Sequence, residues 1–211
     1  MKISVIIPAY NEEKRIEKVL DVVKQIDFIH EIIVVSDGST DDTVKIAKAY
    51  TENVIALNKN IGKGGAVITG ITASHGDIVL LLDADLIGLK KEHIAALIAP
   101  VMKGEALTTV GIFSSGRFFT DAAQKIAPFL SGQRALGHSV AESIQKLDIT
   151  RYGFETALTK YLYVHDIPTK KVVLQGITHT MKEEKVGMLR GFLWRLKMYW
   201  QIVKTIKVDV K

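Results

Sequence analysis

Two aspartates, Asp83 and Asp85, follow directly on the apolar run at residues 78–82. Side chains two positions apart past a strand end point to the same side, so both carboxylates face one crevice. Two anions this close repel each other unless a cation or hydrogen-bond donors compensate. Carboxylate oxygens suit hard divalent cations, and Mg²⁺ is often held by one or two carboxylates together with substrate phosphates. The pair therefore predicts a cation and phosphate site; a polar turn that caps a helix is the alternative interpretation.

The first half of the chain alternates dry strands with helices, and these elements must position the aspartates. Strands are predicted over 2–10, 31–39, 53–58 and 77–82, and helices over 11–26, 40–50 and 62–75. Asn11 is predicted to cap the first helix, and Thr40 or Asp41 the second. Strands this continuously apolar are buried on both faces, which indicates a parallel sheet with crossover helices.

Polar or glycine-rich segments stand at the end of each of these strands. Right-handed crossovers place the C-terminal ends of parallel strands along one edge of the sheet, where open α/β sheets bind ligands. We therefore expect residues 8–12, 36–39, 58–63 and 83–85 to line one crevice.

The second half of the chain is less regular. Its patterns predict helices over 91–104, 120–130 and 153–166 and strands over 105–113 and 170–179. Residues 131–145 read as a short turn or strand followed by a helix. With no internal repeat or linker, the chain is interpreted as one α/β domain with a C-terminal helix.

Composition excludes several classes of site. The 211 residues are 47% hydrophobic, contain no cysteine and carry a formal net charge of +5. No disulfide, thiolate nucleophile or zinc-thiolate site is possible. The first apolar run ends at Pro8, so it predicts neither a signal peptide nor a membrane span. The basic charge suits phosphates or an anionic membrane surface, and no nucleic-acid-binding module is evident.

Four motifs carry a resemblance to a known family. In order they are "VIIPAYNEE", "IIVVSDGSTDDT", "NIGKGGAVITG" and "GDIVLLLDADL", and together they resemble the nucleotide-binding half of the family 2 glycosyltransferases. The resemblance is strong over 3–90 and looser to about residue 180. It is nearest to the polyprenyl-phosphate sugar transferases, such as the dolichyl-phosphate mannose and glucose synthases, while the glucosyl-3-phosphoglycerate synthases share "GKG" and "DADL".

The resemblance implies a fold and a domain organisation. The fold is GT-A, an α/β Rossmann-like architecture with a mostly parallel central sheet flanked by helices. The glycosyltransferase domain would span 1–185, with a nucleotide-binding half at 1–90 and an acceptor half at 91–185. Residues 186–211 would form a basic amphipathic helix.

The resemblance also implies roles for the strand-end residues. Asp85 would ligate the Mg²⁺ or Mn²⁺ that bridges the diphosphate, Asp83 would contact the ribose or the metal shell, and His179 would complete the metal site. A surface position is the alternative for His179, and helix capping is the alternative for Glu12. The residues implied to bind the nucleotide-sugar are Pro8, Ala9, Tyr10, Glu12, Asp37, Gly62, Lys63, Asp83 and Ala84.

The acceptor half offers one acid and several arginines. Glu155 in "GFETAL" matches the family's acidic position and is predicted to be a catalytic base or an acceptor-site residue, although Thr156 stands where the family often has a second acid. Arg134 in "SGQRALG" is predicted to bind the acceptor phosphate, with Arg117 and Arg151 as further candidates. A helix-start acid and surface salt bridges are the alternatives.

The segment 186–211 carries both tryptophans, Trp194 and Trp200, and a broad apolar helical face that includes Tyr199 and Trp200 lies beside a basic stripe. Such a helix can lie on an anionic membrane. It can equally pack on the domain or in a homodimer, and both interpretations stay open.

Together these patterns predict a cytoplasmic, metal-dependent glycosyltransferase, peripheral on the inner face of the membrane if its acceptor is a lipid. The donor would be a UDP- or GDP-sugar, and the acceptor a polyprenyl phosphate or other lipid. The alternatives are a small soluble phosphorylated acceptor, or a non-catalytic nucleotide- or membrane-binding adaptor. A nucleotidyltransferase is disfavoured, because "PAYNEE" replaces the glycine-rich, arginine-containing loop of those enzymes.

Overall fold

A computed structural model of the protein describes residues 1–114, 131–145 and 153–179. The strands of these ranges are β1 (Ile3–Ala9), β2 (Glu31–Ser36), β3 (Val54–Ala56), β4 (Ile78–Leu81), β5 (Leu86–Ile87), β6 (Thr108–Phe113), β7 (Arg134–Gly137), β8 (Thr169–Leu174) and β9 (Thr178–His179). The helices are α1 (Ile16–Lys24), α2 (Thr43–Lys48), α3 (Lys63–Ala73), α4 (Lys91–Met102), α5 (His138–Gln145) and α6 (Phe154–Val164).

The central sheet has seven strands in the order β3-β2-β1-β4-β7-β6-β8. The strands β1 to β4 are parallel, and β6 is parallel to β8. Only β7, inserted between β4 and β6, runs antiparallel to its neighbours in this sheet. The prediction of a mostly parallel α/β sheet of GT-A type is therefore confirmed. The strands β5 and β9 form a separate antiparallel pair.

Helices cover both faces of the sheet at β1 and β4, which explains why these strands are buried almost throughout. On β1, Val5 and Ile7 pack into the layer that contains α1 and α4, whereas Ile6 packs into the layer that contains α3, α5 and α6. All three side chains are fully buried. Each such burial stabilises the fold by about 1.5–3 kcal/mol, so alternate positions of one strand hold both layers in place.

The packing of α3 on the sheet requires a glycine. A Cβ at Gly70 would lie 2.4 Å from Cγ2 of Ile6 and 3.2 Å from Cγ2 of Val35. Such contacts are too close for any larger residue without movement of the helix. Gly70 therefore lets α3 approach β1 and β2 closely, and this approach sets the position of the helix's N-terminal end at the edge of the sheet.

Three predictions about local structure are wrong. The cap of the second helix is neither Thr40 nor Asp41, because α2 begins at Thr43 and its N-cap is Asp42. Asn11 does not cap the first helix: α1 begins at Ile16, and Asn11 adopts a left-handed conformation with φ 54°. Its side chain instead accepts a hydrogen bond from the amide of Thr40 at 2.9 Å. The predicted strand 170–179 is divided into β8 and β9, because Gly176 turns the chain with φ 72°.

Within the ranges that the structure describes, no helix is long and apolar enough to cross a membrane.

Candidate active site

The predicted crevice forms where β2, β1 and β4 end side by side. Ala9 lies opposite Ser36 in the register of β1 and β2. The pairing continues past β2, where the amide of Asp37 donates to the carbonyl of Ala9 at 2.8 Å. On the other side of β1, the amide of Leu82 donates to the carbonyl of Ile6 at 3.1 Å. The residues that follow these strands are thus brought to one edge.

Asp37 organises the loop that leads into α3. Its carboxylate is almost fully buried and accepts hydrogen bonds from the amides of Ile61, at 2.7 Å, and Gly62, at 2.9 Å. Gly62 has φ 92°, a conformation that side chains rarely adopt. The carboxylate therefore holds the glycine-rich loop against the end of β2, with the positive end of the α3 dipole facing the crevice.

Lys63, the first residue of α3, lies between two carboxylates from distant parts of the chain. Its Nζ is 2.6 Å from Oδ1 of Asp83 and 2.5 Å from Oε1 of Glu155. The lysine side chain is 34% exposed, while those of Asp83 and Glu155 are 14% and 19% exposed. Burial disfavours the charged lysine, but the charges of the two carboxylates outweigh it and raise the pKa of Lys63 above its usual value. The ammonium is therefore held charged at neutral pH.

Gly132 closes this cluster, and sequence reasoning missed it. A Cβ at this position would lie 2.6 Å from Nζ of Lys63 and within 2.9 Å of both carboxylate oxygens of Asp83. Only a glycine lets the chain pass so close to the ion pair. The signal available in the sequence was its place in "SGQR", two residues before Arg134.

Arg134 is buried below the site. It is 1% exposed and lies opposite Leu81 and Val110 in the sheet. Its Nε donates to the carbonyl of Ser131 at 3.2 Å, and its Nη2 donates to Oγ1 of Thr159 at 2.5 Å. Burial lowers the pKa of Arg134 to about 10, against the opposing effect of the Glu155 charge, so the guanidinium stays protonated at neutral pH. Its assignment to the acceptor phosphate stays a prediction.

The remaining residues predicted to bind the nucleotide-sugar lie along the same edge of the sheet. Tyr10 is exposed past the end of β1, whereas Ala9 and Ala84 are buried. Pro8 is partly buried within β1. The Glu12 carboxylate is buried and lies 3.5 Å from Nη1 of Arg15. Their contacts with a nucleotide stay predictions.

Asp85 precedes β5, and β5 pairs with β9, so that the backbone of Leu86 lies opposite that of His179. The side chain of His179 is outside the described residues, as are Arg117, Arg151 and the predicted helix at 186–211. In the described part of the chain, no three His, Asp or Glu side chains are grouped to hold a metal ion. Metal ligation by Asp83, Asp85 and His179 stays a prediction.

The groups at this edge of the sheet can bind both a metal cation and a phosphate anion. The carboxylate pair offers oxygen ligands of the kind that Mg²⁺ and Mn²⁺ prefer. The Lys63 ammonium and the N-terminal end of α3 offer positive charge for phosphate oxygens. Glu155 brings a second carboxylate to the Lys63 ammonium from the later part of the chain.

Comparison with known proteins agrees with this architecture. Residues 4–166 match the family model described as glycosyl transferase family 2. The chain belongs to this family. The match covers more than half of the chain and includes every strand end that forms the crevice, so the resemblance predicted from the four motifs is confirmed.

Relatives within family 2 include two kinds of glucosyltransferase. The human dolichyl-phosphate beta-glucosyltransferase is 41% identical over 100 residues, which cover 40% of this chain and 31% of the relative. The glucosyl-3-phosphoglycerate synthase of Mycobacterium tuberculosis is 36% identical over 120 residues, which cover 53% of this chain and 37% of the relative. The matched segments thus span about a third of the length of these family 2 relatives.

Solved structures of the same Mycobacterium tuberculosis synthase share the fold. The complex with Mg²⁺ and UDP superposes with a TM-score of 0.77 at 27% identity, covering 97% of this chain and 78% of that one. The complex with Mn²⁺, UDP-glucose and phosphoglyceric acid gives a TM-score of 0.76 at 26% identity, covering 100% and 81%.

Proposed function

We propose that the protein is a metal-dependent glycosyltransferase that moves a sugar from a nucleotide-sugar to a phosphate-bearing acceptor. The observation that carries this proposal is the cluster of Lys63, Asp83 and Glu155, in which one cation joins the strand end of the nucleotide-binding half to the acceptor half. Membership of family 2 supports the reaction class. A UDP-sugar is the first donor to test, because the Mycobacterium tuberculosis relative binds UDP and UDP-glucose.

The residues present fit a divalent cation at the strand end. Asp83 and Asp85 place two carboxylates two residues apart just after β4, and carboxylate oxygens are the ligands that Mg²⁺ and Mn²⁺ prefer. We propose that Asp85, Asp83 and His179 hold Mg²⁺ or Mn²⁺ together with the diphosphate of the donor. The ion, when bound, stabilises the negative charge that develops on the leaving diphosphate.

The other strand-end residues would bind the nucleotide. Pro8, Ala9, Tyr10 and Glu12 would form one wall, and Asp37 would fix the base through the loop that it holds. Gly62 and Ala84 would let the ligand approach the backbone, since neither carries a bulky side chain. Lys63 would neutralise charge on the donor phosphates as the sugar leaves.

In the reaction, an acceptor oxygen forms a bond to the anomeric carbon as the bond from that carbon to the diphosphate oxygen breaks. The electron pair of the broken bond stays on the diphosphate. A phosphate acceptor is already ionised near neutral pH and needs no strong base. Glu155 would then orient the acceptor beside Lys63, and for a hydroxyl acceptor it would take the proton.

The first acceptor to test is a polyprenyl phosphate, supported by the dolichyl-phosphate relatives and by the basic amphipathic pattern of residues 186–211. That segment would contact the membrane or a second copy of the chain, and Arg117 would face the acceptor phosphate. A second candidate is 3-phosphoglycerate, favoured by the structural likeness to a synthase that binds phosphoglyceric acid.

The test combines binding with transfer. Thermal shifts would be measured with UDP-, GDP- and TDP-sugars, with and without Mn²⁺, and labelled sugar would be offered to polyprenyl phosphate in vesicles or to free 3-phosphoglycerate. We expect metal-dependent stabilisation by one donor and transfer to one acceptor. Asp85→Ala should lower transfer at least about 100-fold, whereas the control Asp27→Ala, an exposed aspartate distant in sequence from the strand-end motifs, should not.

Two results would contradict the proposal. No stabilisation by any donor with metal would remove the donor site. Stabilisation without transfer or donor hydrolysis, unchanged in Asp85→Ala, would instead indicate a nucleotide-binding adaptor.

A further inference from the structure

We propose that Arg134 is a positioning residue, which fixes Glu155 and the 131–133 turn on opposite sides of Lys63. This inference rests on the proposed function for its kinetic consequences, but not for its structural ones. It assigns to the arginine a role different from direct contact with the acceptor phosphate.

The burial of Arg134 gives the first argument. With 1% of its surface exposed, it is the largest fully buried side chain among the described residues. A buried guanidinium is stable only when protein groups accept its hydrogen bonds, because it has lost those to water. Two of its acceptors, the Ser131 carbonyl and the Thr159 hydroxyl, belong to the two segments that flank the Lys63 cluster.

The hydrogen bond between Arg134 and Thr159 leads to Glu155. Thr159 accepts from Nη2 of Arg134 at 2.5 Å and donates its own hydroxyl proton to the carbonyl of Glu155 at 2.8 Å. A hydroxyl has a single proton, so donation to one carbonyl fixes its orientation and leaves its lone pairs for the arginine. The positive charge also polarises the hydroxyl and strengthens the second bond.

The helix that carries Glu155 depends on this support. The residue that precedes α6, Gly153, has φ 96° and no side chain to cap the helix. Glu155 lies in the first turn, whose backbone N–H groups have no carbonyl acceptor within the helix, so this turn is held by fewer hydrogen bonds than the turns that follow. The chain from Arg134 through Thr159 therefore fixes the turn from which the Glu155 carboxylate reaches Lys63.

The hydrogen bond between Arg134 and Ser131 leads to the part of the cluster that Gly132 contacts. Nε of Arg134 donates to the carbonyl of Ser131 at 3.2 Å, and the next residue is Gly132, whose Cα faces Lys63 and Asp83. A movement of this turn by a few tenths of an ångström would change the space available to the ion pair. One buried cation thus aligns the donor-side and acceptor-side groups.

The decisive variants alter Thr159, which is less deeply tied into the core than Arg134. Thr159→Val removes the hydroxyl and keeps the shape, and Thr159→Ser keeps the hydroxyl. The matched control is Thr72→Val, because Thr72 makes the same bond to a carbonyl four residues earlier, at 2.9 Å to Ile68, on the exposed side of α3. Arg134→Lys, alone and combined with Thr159→Val, tests whether the two residues act together.

Two measurements would be made on each full-length variant. The first is kcat and KM for sugar transfer from UDP-glucose with Mn²⁺ to polyprenyl phosphate or 3-phosphoglycerate. The second is hydrogen exchange at the backbone amides of residues 157–160, whose hydrogen bonds to the carbonyls four residues earlier close the first turn of α6, and it needs no activity. We expect Thr159→Val to lower kcat about tenfold with KM within twofold, and to speed exchange about tenfold. Thr159→Ser should recover most of both losses, Thr72→Val should show neither, and the double variant should be no worse than Arg134→Lys alone.

The outcomes separate the alternatives. If Thr159→Val matches the wild type in kcat and exchange, the positioning role is wrong. If Arg134→Lys raises the acceptor KM while kcat stays intact, the arginine binds the acceptor directly. If the wild type transfers no sugar, the proposed function fails, and the exchange measurement alone decides whether Arg134 and Thr159 hold the first turn of α6.

Discussion

Replacement of Lys63 by methionine would leave two carboxylates facing each other without a cation. Both acidic oxygens lie within 2.6 Å of the same Nζ, so they are at most about 5 Å apart. At an effective dielectric constant of about 20, two unit charges at that distance repel by roughly 3 kcal/mol. Water and side-chain relaxation reduce this repulsion, and we expect Lys63→Met to lower the free energy of unfolding by about 2 kcal/mol at pH 7.5.

The pH dependence of this loss has a definite sign. The pKa of Lys63 is raised in the folded state, so its contribution is fully present below the unfolded value of about 10.5 and is lost only as the pH rises through the higher folded value. Between pH 4.5 and 8 the wild-type lysine is therefore charged throughout.

Urea unfolding at pH 7.5 and 4.5, with and without Mn²⁺, measures these effects. The cation should restore at least half of the lost stability in Lys63→Met and add less to the wild type, because it takes over the role of the ammonium. The control is Lys45→Met, whose exposed partner Asp42 lies 4.0 Å away and whose loss should cost less than about 0.5 kcal/mol. Equal stability of Lys63→Met and the wild type at pH 7.5 would refute the electrostatic reasoning.

Two further substitutions test other parts of the structure. Burial alone would raise the pKa of Glu31, but the hydrogen bond from the Ser4 hydroxyl at 2.5 Å and further bonds from His75 lower it. Glu31→Gln should therefore lower the free energy of unfolding in urea by about 1 kcal/mol at pH 7 and by less as the pH falls below about 4. An equal loss at pH 7 and at the acidic pH would contradict a lowered pKa of Glu31. Gly132→Ala places a methyl group 2.6 Å from Nζ of Lys63 and should lower kcat/KM for sugar transfer about tenfold or more while urea unfolding changes by less than about 1 kcal/mol. Full activity of this variant would show that the turn adapts freely.

The first half of the fold was predictable because its signals are local. Continuous apolar runs such as 78–82 indicate strands that are buried on both faces, and the buried β4 agrees. Right-handed crossover helices place the C-terminal ends of such parallel strands along one edge of the sheet. The convergence of Asp37, Lys63 and Asp83 on that edge therefore followed from the hydrophobic pattern and the handedness of the crossovers.

Errors occurred where a residue's partner lies far along the chain. Asn11 looks like a helix cap, but its side chain bonds to the amide of Thr40 and its backbone adopts a left-handed conformation that asparagine tolerates. The run 170–179 reads as one strand, yet Gly176 turns it so that its last residues pair with β5.

By itself, the sequence determined the dry strands, the glycine-rich loop and the presence of Asp83 and Asp85 at a strand end, because each depends on the periodicity and conformational preferences of neighbouring residues. Tertiary structure alone decided that Lys63 would meet Glu155, which lies 92 residues away, and that Arg134 would be buried. The physical reason is that such partners are selected by the packing of whole layers, which brings together groups that no local pattern relates.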